Sequence, residues 1–473
     1  MNEGSYRKWW QADVSNKRLL IMISLRIAIP TIVLGGVIAH MRAVAQTPPA
    51  VRALGPVTHV STEPLASVAA VVALRDGRVY VNDMTGRRLL LFDSTLAHGS
   101  VVADTTDATA NAYGHQAGTL IRYLGDSSLY VDATSLSMLV LGPDGRVARV
   151  MALPRPQDAG SLLGGLFGNP GVDAHGRLVY YSGPAPGFML SNLFGKMSDL
   201  APLFAMPNML LPPGKLIDSG FIIRVDMATR AVDTATAVRI PKVLRTYPVD
   251  NDGNLVSIQT KRDPLPVVDD WAVMPDGSLA VVRGQDFHID WLGADGAWTS
   301  LPKVPFDWQH VSDDRKLALI DSAVKDDQAN IDGGNAQRAA RAVGAGNAGA
   351  GSAGGGTARG GRGGGGVGGA GPRTAGTPVP NIIVRPDLGD LPDYMPPFTQ
   401  RAVSADAEGN LWIRTSTVVN GRPVYDIVNR QGALVDRVQL PPFRTIAGFG
   451  PGVVFMAVKD SAGVVHLEKA RVK

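Results

Sequence analysis

The sequence predicts an all-β fold, a six-bladed β-propeller, and three observations predict it. Strand-like stretches separated by Asp-Gly or related turns recur from residue 69 to the C-terminus. Gly and Pro are abundant, at 55 and 33 of 473 residues, which favours many turns. Apolar residues make up 45%, enough for a large core shared among many small sheets.

The units justify the blade count. Residues 69–93 read AAVVALRDGRVYVNDMTGRRLLLFD, and 120–145 read LIRYLGDSSLYVDATSLSMLVLGPDG. The third begins at 169–181 (NPGVDAHGRLVYY) and resumes at 220–233 (GFIIRVDMATRAVD). The others span 270–296, 400–432 and 445–472. Each runs apolar strand, turn (Asp76-Gly77, His175-Gly176, Asp276-Gly277, Glu408-Gly409), second strand, third strand. Such turns supply the positive-φ residues that tight hairpins need. One small sheet cannot bury both faces by itself, and radial stacking buries face against face. The last unit is one strand short, so a strand from around 51–61 is expected to close it.

These strand–turn–strand units resemble the TolB-like and NHL-repeat propeller families. VYVNDMTGRRLLLFD is similar to the NHL repeat core, with an Asp after the second strand and an aromatic-Asp pair ending the third. The resemblance implies the fold and says little about activity.

Residues 27–39 are an apolar run of 13, preceded by Arg26 and followed by Ala43-Val44-Ala45. That pattern reads as a signal peptide over 1–45, with 1–21 a candidate extended start ahead of Met22. An exported, periplasmic or secreted protein is expected, and an uncleaved anchor is the competing reading. Residues 1–45 carry six of the 46 basic and two of the 42 acidic residues, so 40 of each remain. A neutral mature chain gives no reason to expect nucleic acid. Membrane contact is expected only through an uncleaved signal. With no cysteine, disulfides, thiolate zinc sites and cysteine nucleophiles are excluded.

From 46 to 473 the chain reads as one domain with two interruptions. Residues 182–219 form an apolar, Pro-broken lid insertion carrying Met189, Phe194 and Met206. Residues 311–398 begin with a short helix, DDRKLALIDSAVKDD, capped by Ser312. A Gly/Ala-rich tract over 333–371 follows and is expected to be disordered. PDYMPPF, with Tyr394, then re-enters as a stiff strap. In propeller order both interruptions emerge on one face, the expected binding surface.

Aligned on their turns, the second strands place Asn82, Asp132, Tyr181, Val282 and Arg414 at equivalent positions, with Asp83 and Arg283 one residue on. Asp269 and Asp270 precede an inner strand beside Trp271. Asn and Asp oxygens around a channel mouth suit a hard cation, with calcium the candidate. The competing role for Asp83 and Asp132 is to accept backbone amides in turns. The gluconolactonase-like propellers pair a divalent ion with a nearby acid, but their inner-strand Glu and Asn pair find no match here. The eight histidines show no metal-binding spacing, and no G-x-S-x-G or Walker-type motif occurs.

The main expectation is therefore a non-catalytic binding or scaffolding propeller, without a cofactor, recognising a protein, peptide or small ligand. Its site residues are Asn82, Asp83, Asp132, Asp270, Trp271, Arg283, Tyr394, Arg414, Met189, Phe194 and Met206. The alternative is a divalent-metal-dependent hydrolase or lactonase with carboxylates at the channel mouth.

Overall fold

The computed structural model describes residues 48–105, 118–163, 168–183, 214, 216–349 and 379–473, with the side chains of 337–349 excepted. Residues 46–473 form one compact unit. The chain enters through β1 (Val51–Ala53) and β2 (Val57–Val60). The first sheet holds β3 (Ala70–Ala73), β4 (Val79–Asp83), β5 (Arg88–Phe92) and β6 (Gly99–Ala103). The second holds β7 (Thr119–Arg122), β8 (Ser128–Asp132), β9 (Ser137–Leu141) and β10 (Val147–Ala152). The third starts as β11 (Gly171–Val172), β12 (Leu178–Ser182), β13 (Leu216–Val225) and β14 (Val232–Thr246), and adds β15 (Ile258–Arg262). The fourth is β16 (Asp270–Val273), β17 (Leu279–Arg283), β18 (His288–Leu292) and β19 (Trp298–Ser300).

After a long helix, Asp313–Gly349, strand β20 (Asn381–Val384) pairs in parallel with β15 and becomes the edge of the third sheet. The fifth sheet is β21 (Phe398–Ala405), β22 (Leu411–Val419), β23 (Arg422–Val428) and β24 (Leu434–Gln439), with β1 added in parallel. The sixth is β25 (Arg444–Gly450), β26 (Val453–Lys459) and β27 (Val465–Arg471). It is completed by β2, antiparallel to β27, which is the closing strand read from the sequence.

The turns explain why these hairpins form. Gly77, Gly277 and Gly409 sit at φ of 88°, 80° and 85°, where a side chain would be strained. An Asp or Asn in each turn accepts the amides that the strands leave unpaired. Asp76 takes Arg78 N at 3.0 Å, Asp173 takes His175 N at 3.0 Å, and Asp406 takes Asn410 N at 2.7 Å.

The sheets stack face to face as a β-propeller does. Tyr80 of the first sheet packs with Leu120 and Leu139 of the second. Leu129 of the second meets Tyr180 of the third, and Val179 of the third meets Trp271 of the fourth. Ala280 of the fourth meets Leu411 of the fifth, Trp412 of the fifth meets Phe449 of the sixth, and Phe455 of the sixth returns to Val79 of the first. Each sheet is thus covered on both faces, and this stabilises the fold by about 25 cal/mol for each Å² of apolar surface removed from water.

The second interruption departs from expectation. Its helix does not stop near Asp327; it runs to Gly349, through Gly333 and Gly334. The alanines of this stretch are strong helix formers, and a helix once nucleated extends at low cost. The remainder of the tract expected to be disordered, 350–371, lies outside the described residues. Ser312 caps the start: its Oγ accepts Arg315 N at 3.3 Å and its carbonyl accepts Lys316 N at 2.9 Å. The two ends of the insertion are zipped together. Val311 N donates to the Asp393 carbonyl at 2.8 Å, and Met395 N to that of Gln309 at 2.9 Å. Leu265, Val311, Ile320 and Leu391 bury one another beneath the helix. Of the first interruption, residues 216–219 belong to β13, and most of the rest lies outside the described residues. The upper end of β13, Leu216 and Ile217, pairs with the part of β14 that carries β15, and β20 from the second interruption pairs with β15 there. Among the described residues no helix is long and apolar enough to cross a membrane.

Gly277 and Gly296 separate backbone strain from interlocking of sheets. A Cβ at Gly277 would stand 2.0 Å from the Ala174 amide nitrogen of the third sheet, whereas one at Gly296 meets nothing within 4 Å. Gly296→Ala is expected to cost about 1 kcal/mol, the left-handed penalty alone. Gly277→Ala is expected to cost about 3 kcal/mol, since overpacking adds to it. Equal losses in urea unfolding would show that the turn does not interlock the two sheets.

Candidate functional site

The carboxylates expected around the mouth are all engaged. Asp83 is fully buried. It accepts Ser67 N at 2.8 Å, Gly86 N at 3.0 Å and Ala66 N at 3.2 Å, and pairs with Arg88 at 3.0 Å. It therefore ties the approach to β3 to the turn after β4. The fourth sheet makes the same tie with the partners exchanged. There Asp269, ahead of β16, accepts Gly284 N at 3.2 Å and pairs with Arg283 at 3.0 Å. Arg283 is spent on this contact, on Asp290 at 2.8 Å and on the Ala237 carbonyl at 2.8 Å. Asp132 accepts Thr134 N at 3.0 Å and Ser135 Oγ at 2.7 Å. Asn82 is buried and donates to the Gly118 carbonyl at 2.8 Å. These residues do not converge on a ring of free oxygens, because backbone amides reach them first. Tyr181, Val282 and Trp271 are buried between sheets, so Trp271 is core rather than ligand platform. Tyr394 is 50% exposed and stands edge-on to His310, with ring centroids 5.6 Å apart. Met189, Phe194 and Met206 lie outside the described residues.

Asp270 has the most consequential position. It is 1% exposed, yet its Oδ2 accepts Ala402 N at 2.7 Å and Val403 N at 2.9 Å from the neighbouring sheet. Its Oδ1 accepts Trp271 N at 2.9 Å. Burial pushes its pKa up to about 6, against the pull of these three amides and of the Arg401 charge. The amides it holds lie at the end of a bulge in β21, Ala402 closing it and Val403 following it. Phe398 pairs with Thr415 and Val403 with Ile413, so residues 399–402 face Arg414 alone. Within the bulge Arg401 takes φ of 57°, a left-handed conformation that is strained for a non-glycine residue. Arg401 and Arg414 are exposed, and neither side chain has a hydrogen bond or ion pair among the described residues. Arg414 lies beside Tyr425, whose pKa burial pushes up while the guanidinium pulls against it.

The sequence placed Asp270 and Arg414 at the site but did not reveal Arg401 or the bulge. It also named His175 and Glu408 at turns where Asp173 and Asp406 are the acceptors. An Asp three residues ahead of the turn glycine was the legible signal.

The fit of a divalent ion can be judged from the donor set. Calcium needs six to eight oxygens. Asp83, Asp132 and Asp270 offer carboxylates already bonded to N–H or O–H donors, and no group of three His, Asp or Glu among the described residues is arranged to hold a metal. The described residues do not fit calcium.

No family model and no curated protein matches the chain. Solved structures similar to it include a calcium-binding protein, regucalcin, from Agrobacterium tumefaciens: 10% identity and TM-score 0.36 over 89% of this chain and 98% of that one. A gluconolactonase from Xanthomonas campestris shows 11% identity and TM-score 0.34 over 89% and 99%. A virginiamycin B lyase from Staphylococcus aureus shows 9% identity and TM-score 0.30 over 88% of each chain. The expectation of a non-catalytic binding or scaffolding module is corrected here: the solved structures similar to this chain include proteins named as gluconolactonases and lyases.

Two expectations follow. Asp270 has a raised folded pKa, so its contribution is fully present below about pH 4 and is lost as pH rises through about 6. The stability of the wild type relative to Asp270→Asn is therefore expected to fall by about 3 kcal/mol across that window, at 1.36 kcal/mol per pKa unit. Parallel pH–stability curves would remove this role. Thermal melts of the full chain in excess chelator and with Ca²⁺ restored are expected to superimpose. A bound ion at one hundred times its Kd would instead stabilise by about 2.7 kcal/mol.

Proposed function

We propose that the chain is an exported hydrolase of lactone or ester bonds, and that its six sheets are the six blades of one propeller. The active region in this reading is the mouth of the ring between the fourth and fifth blades, on the face that carries both insertions. The observation that carries it is the bulge of β21, with Arg401 in a strained left-handed conformation held by a buried carboxylate of the adjacent blade. Strain of this kind persists only where the surroundings enforce it, and bulges re-aim side chains beside active sites.

Hydrolysis of a lactone or ester passes through a tetrahedral intermediate with a developing oxyanion. An exposed guanidinium on a rigid strand is suited to receive that charge. Asp270 does not touch substrate in this scheme. Both its oxygens are occupied, and it acts as a positioning residue for the bulge. No step is routed through a metal ion, since the described donors do not fit one. The TolB-like and NHL-repeat resemblance remains a likeness of sequence pattern, and export through residues 1–45 belongs to this reading as well.

The test is turnover of a panel of lactones and carboxylic esters by the full chain. Hydrolysis is expected, with Arg401→Gly lowering kcat by about a hundredfold, the scale for losing one oxyanion donor. Glycine suits the left-handed backbone, so this variant keeps the fold. A folded wild type that hydrolyses none of the panel, or an Arg401→Gly variant of full activity, would overturn the reading.

A further inference from the structure

The second interruption builds a cleft at the outer edge of the third sheet. There the long helix lies against β15 and β20 and is anchored at both ends of one face. Ile320 is buried against Leu265 and Leu391, and Asp327 pairs with Arg262 at 2.6 Å. About two helical turns separate these anchors. Ala323 and Val324 lie between them, on the same face by helical spacing. A large side chain there would complete the core, whereas alanine and valine leave it open. The result is a cavity of about 150 Å³, walled by Pro264, Ala323, Val324, Ile383, Val384 and Pro386. Pro386 is buried and the other walls are half-buried.

Arg262, Asp327 and Asp263 complete the lining. The first two neutralise each other in the ion pair, which leaves the carboxylate of Asp263. Its Oδ1 accepts Leu265 N at 2.8 Å, across the turn that Pro264 shapes. Its Oδ2 has no hydrogen bond or ion pair among the described residues. Burial pushes the pKa of Asp263 up, against the pull of the Leu265 amide and of the Lys242 charge, and the Asp390 charge adds to the rise. Asp390 is itself paired with Lys261 at 2.7 Å. One place therefore holds an unfilled apolar volume and an unneutralised, half-buried carboxylate. Each costs stability by itself. A single occupant relieves both when it joins a positive head to an apolar body. An apolar cavity of about 150 Å³ takes a benzene-sized molecule, which sets the size of that body.

We propose that this cleft is a binding site for a small organic ammonium ion, its charge held by Asp263 and its compact apolar body by Val324, Ile383 and Val384. The site does not depend on the hydrolase reading. β20 is the outer edge strand of the third sheet, at the opposite edge from β11.

The experiment is calorimetric titration of the full chain with benzylammonium, benzyl alcohol, benzoate and ammonium. Benzylammonium is expected to bind, and benzyl alcohol at least about tenfold weaker, the scale of one hydrogen bond to a charged group. Ammonium lacks the apolar body and is expected to bind at least about tenfold weaker as well. Benzoate, repelled by the free carboxylate, is expected to give no heat of binding. Asp263→Asn keeps a side-chain oxygen for Leu265 N, so the turn survives. It should lower the affinity for benzylammonium to that for benzyl alcohol and leave benzyl alcohol unchanged. Ala323→Leu fills the cavity with a good helix former. It should abolish binding of both while Tm stays at or above that of the wild type. Equal affinity for benzylammonium and benzyl alcohol, wild-type binding by either folded variant, or no binding of benzylammonium by the folded wild type would overturn the proposal.

Discussion

Every sheet in this molecule has two apolar faces, and that constraint organises everything else. A lone four-stranded antiparallel sheet can hide one face on a neighbour but must wet the other. Here Trp271 and Val179 meet on one side of the fourth sheet, and Ala280 and Leu411 meet on its other side. The same holds around the ring until Phe455 meets Val79. Closure comes from the two ends of the chain, since β2 completes the sheet made by the last three strands. The N-terminal strands therefore act as structural parts of the last two sheets.

Once the sheets face each other, their edges must be joined where unpaired amides emerge, and this chain uses aspartate for that work. Asp83 joins the approach to β3 with the turn after β4; Asp269 does the same for the fourth sheet; Asp270 crosses to the next sheet altogether. A carboxylate saturated by N–H donors is a poor ligand for a hard cation. The acids that look like a metal ring in sequence are structural joints. Arg401 and Arg414 are exposed, and their side chains have no hydrogen bond or ion pair among the described residues.

The bulge in β21 shows how structure and chemistry share one device. The extra residues break the pairing of β21 with β22, and the amides released by the break need an acceptor. Asp270 supplies it from the adjacent sheet at the cost of burying a carboxylate, which is why its pKa is raised. Arg401 is held in its strained conformation between those two requirements.

The repeating order of strand and turn was fully legible in the sequence, because both signals are local. Alternating apolar residues and left-handed glycines depend on neighbours two or three positions away. The stacked sheets and the outer strand that closes the last of them follow from that local code. The fate of the carboxylates was not legible. Asp270 meets amides 132 positions distant, and no spacing rule can reveal such a contact. The parallel pairing of β20 with β15 and the bulge that carries Arg401 are non-local in the same way. The helix running on through Gly333 and Gly334 was missed for a different reason: its alanines outweigh glycines that, taken alone, read as a break. Sequence determined which residues form strands and turns, while the tertiary structure decided which charges are consumed in contacts and which stay exposed, because those contacts join residues far apart in the chain.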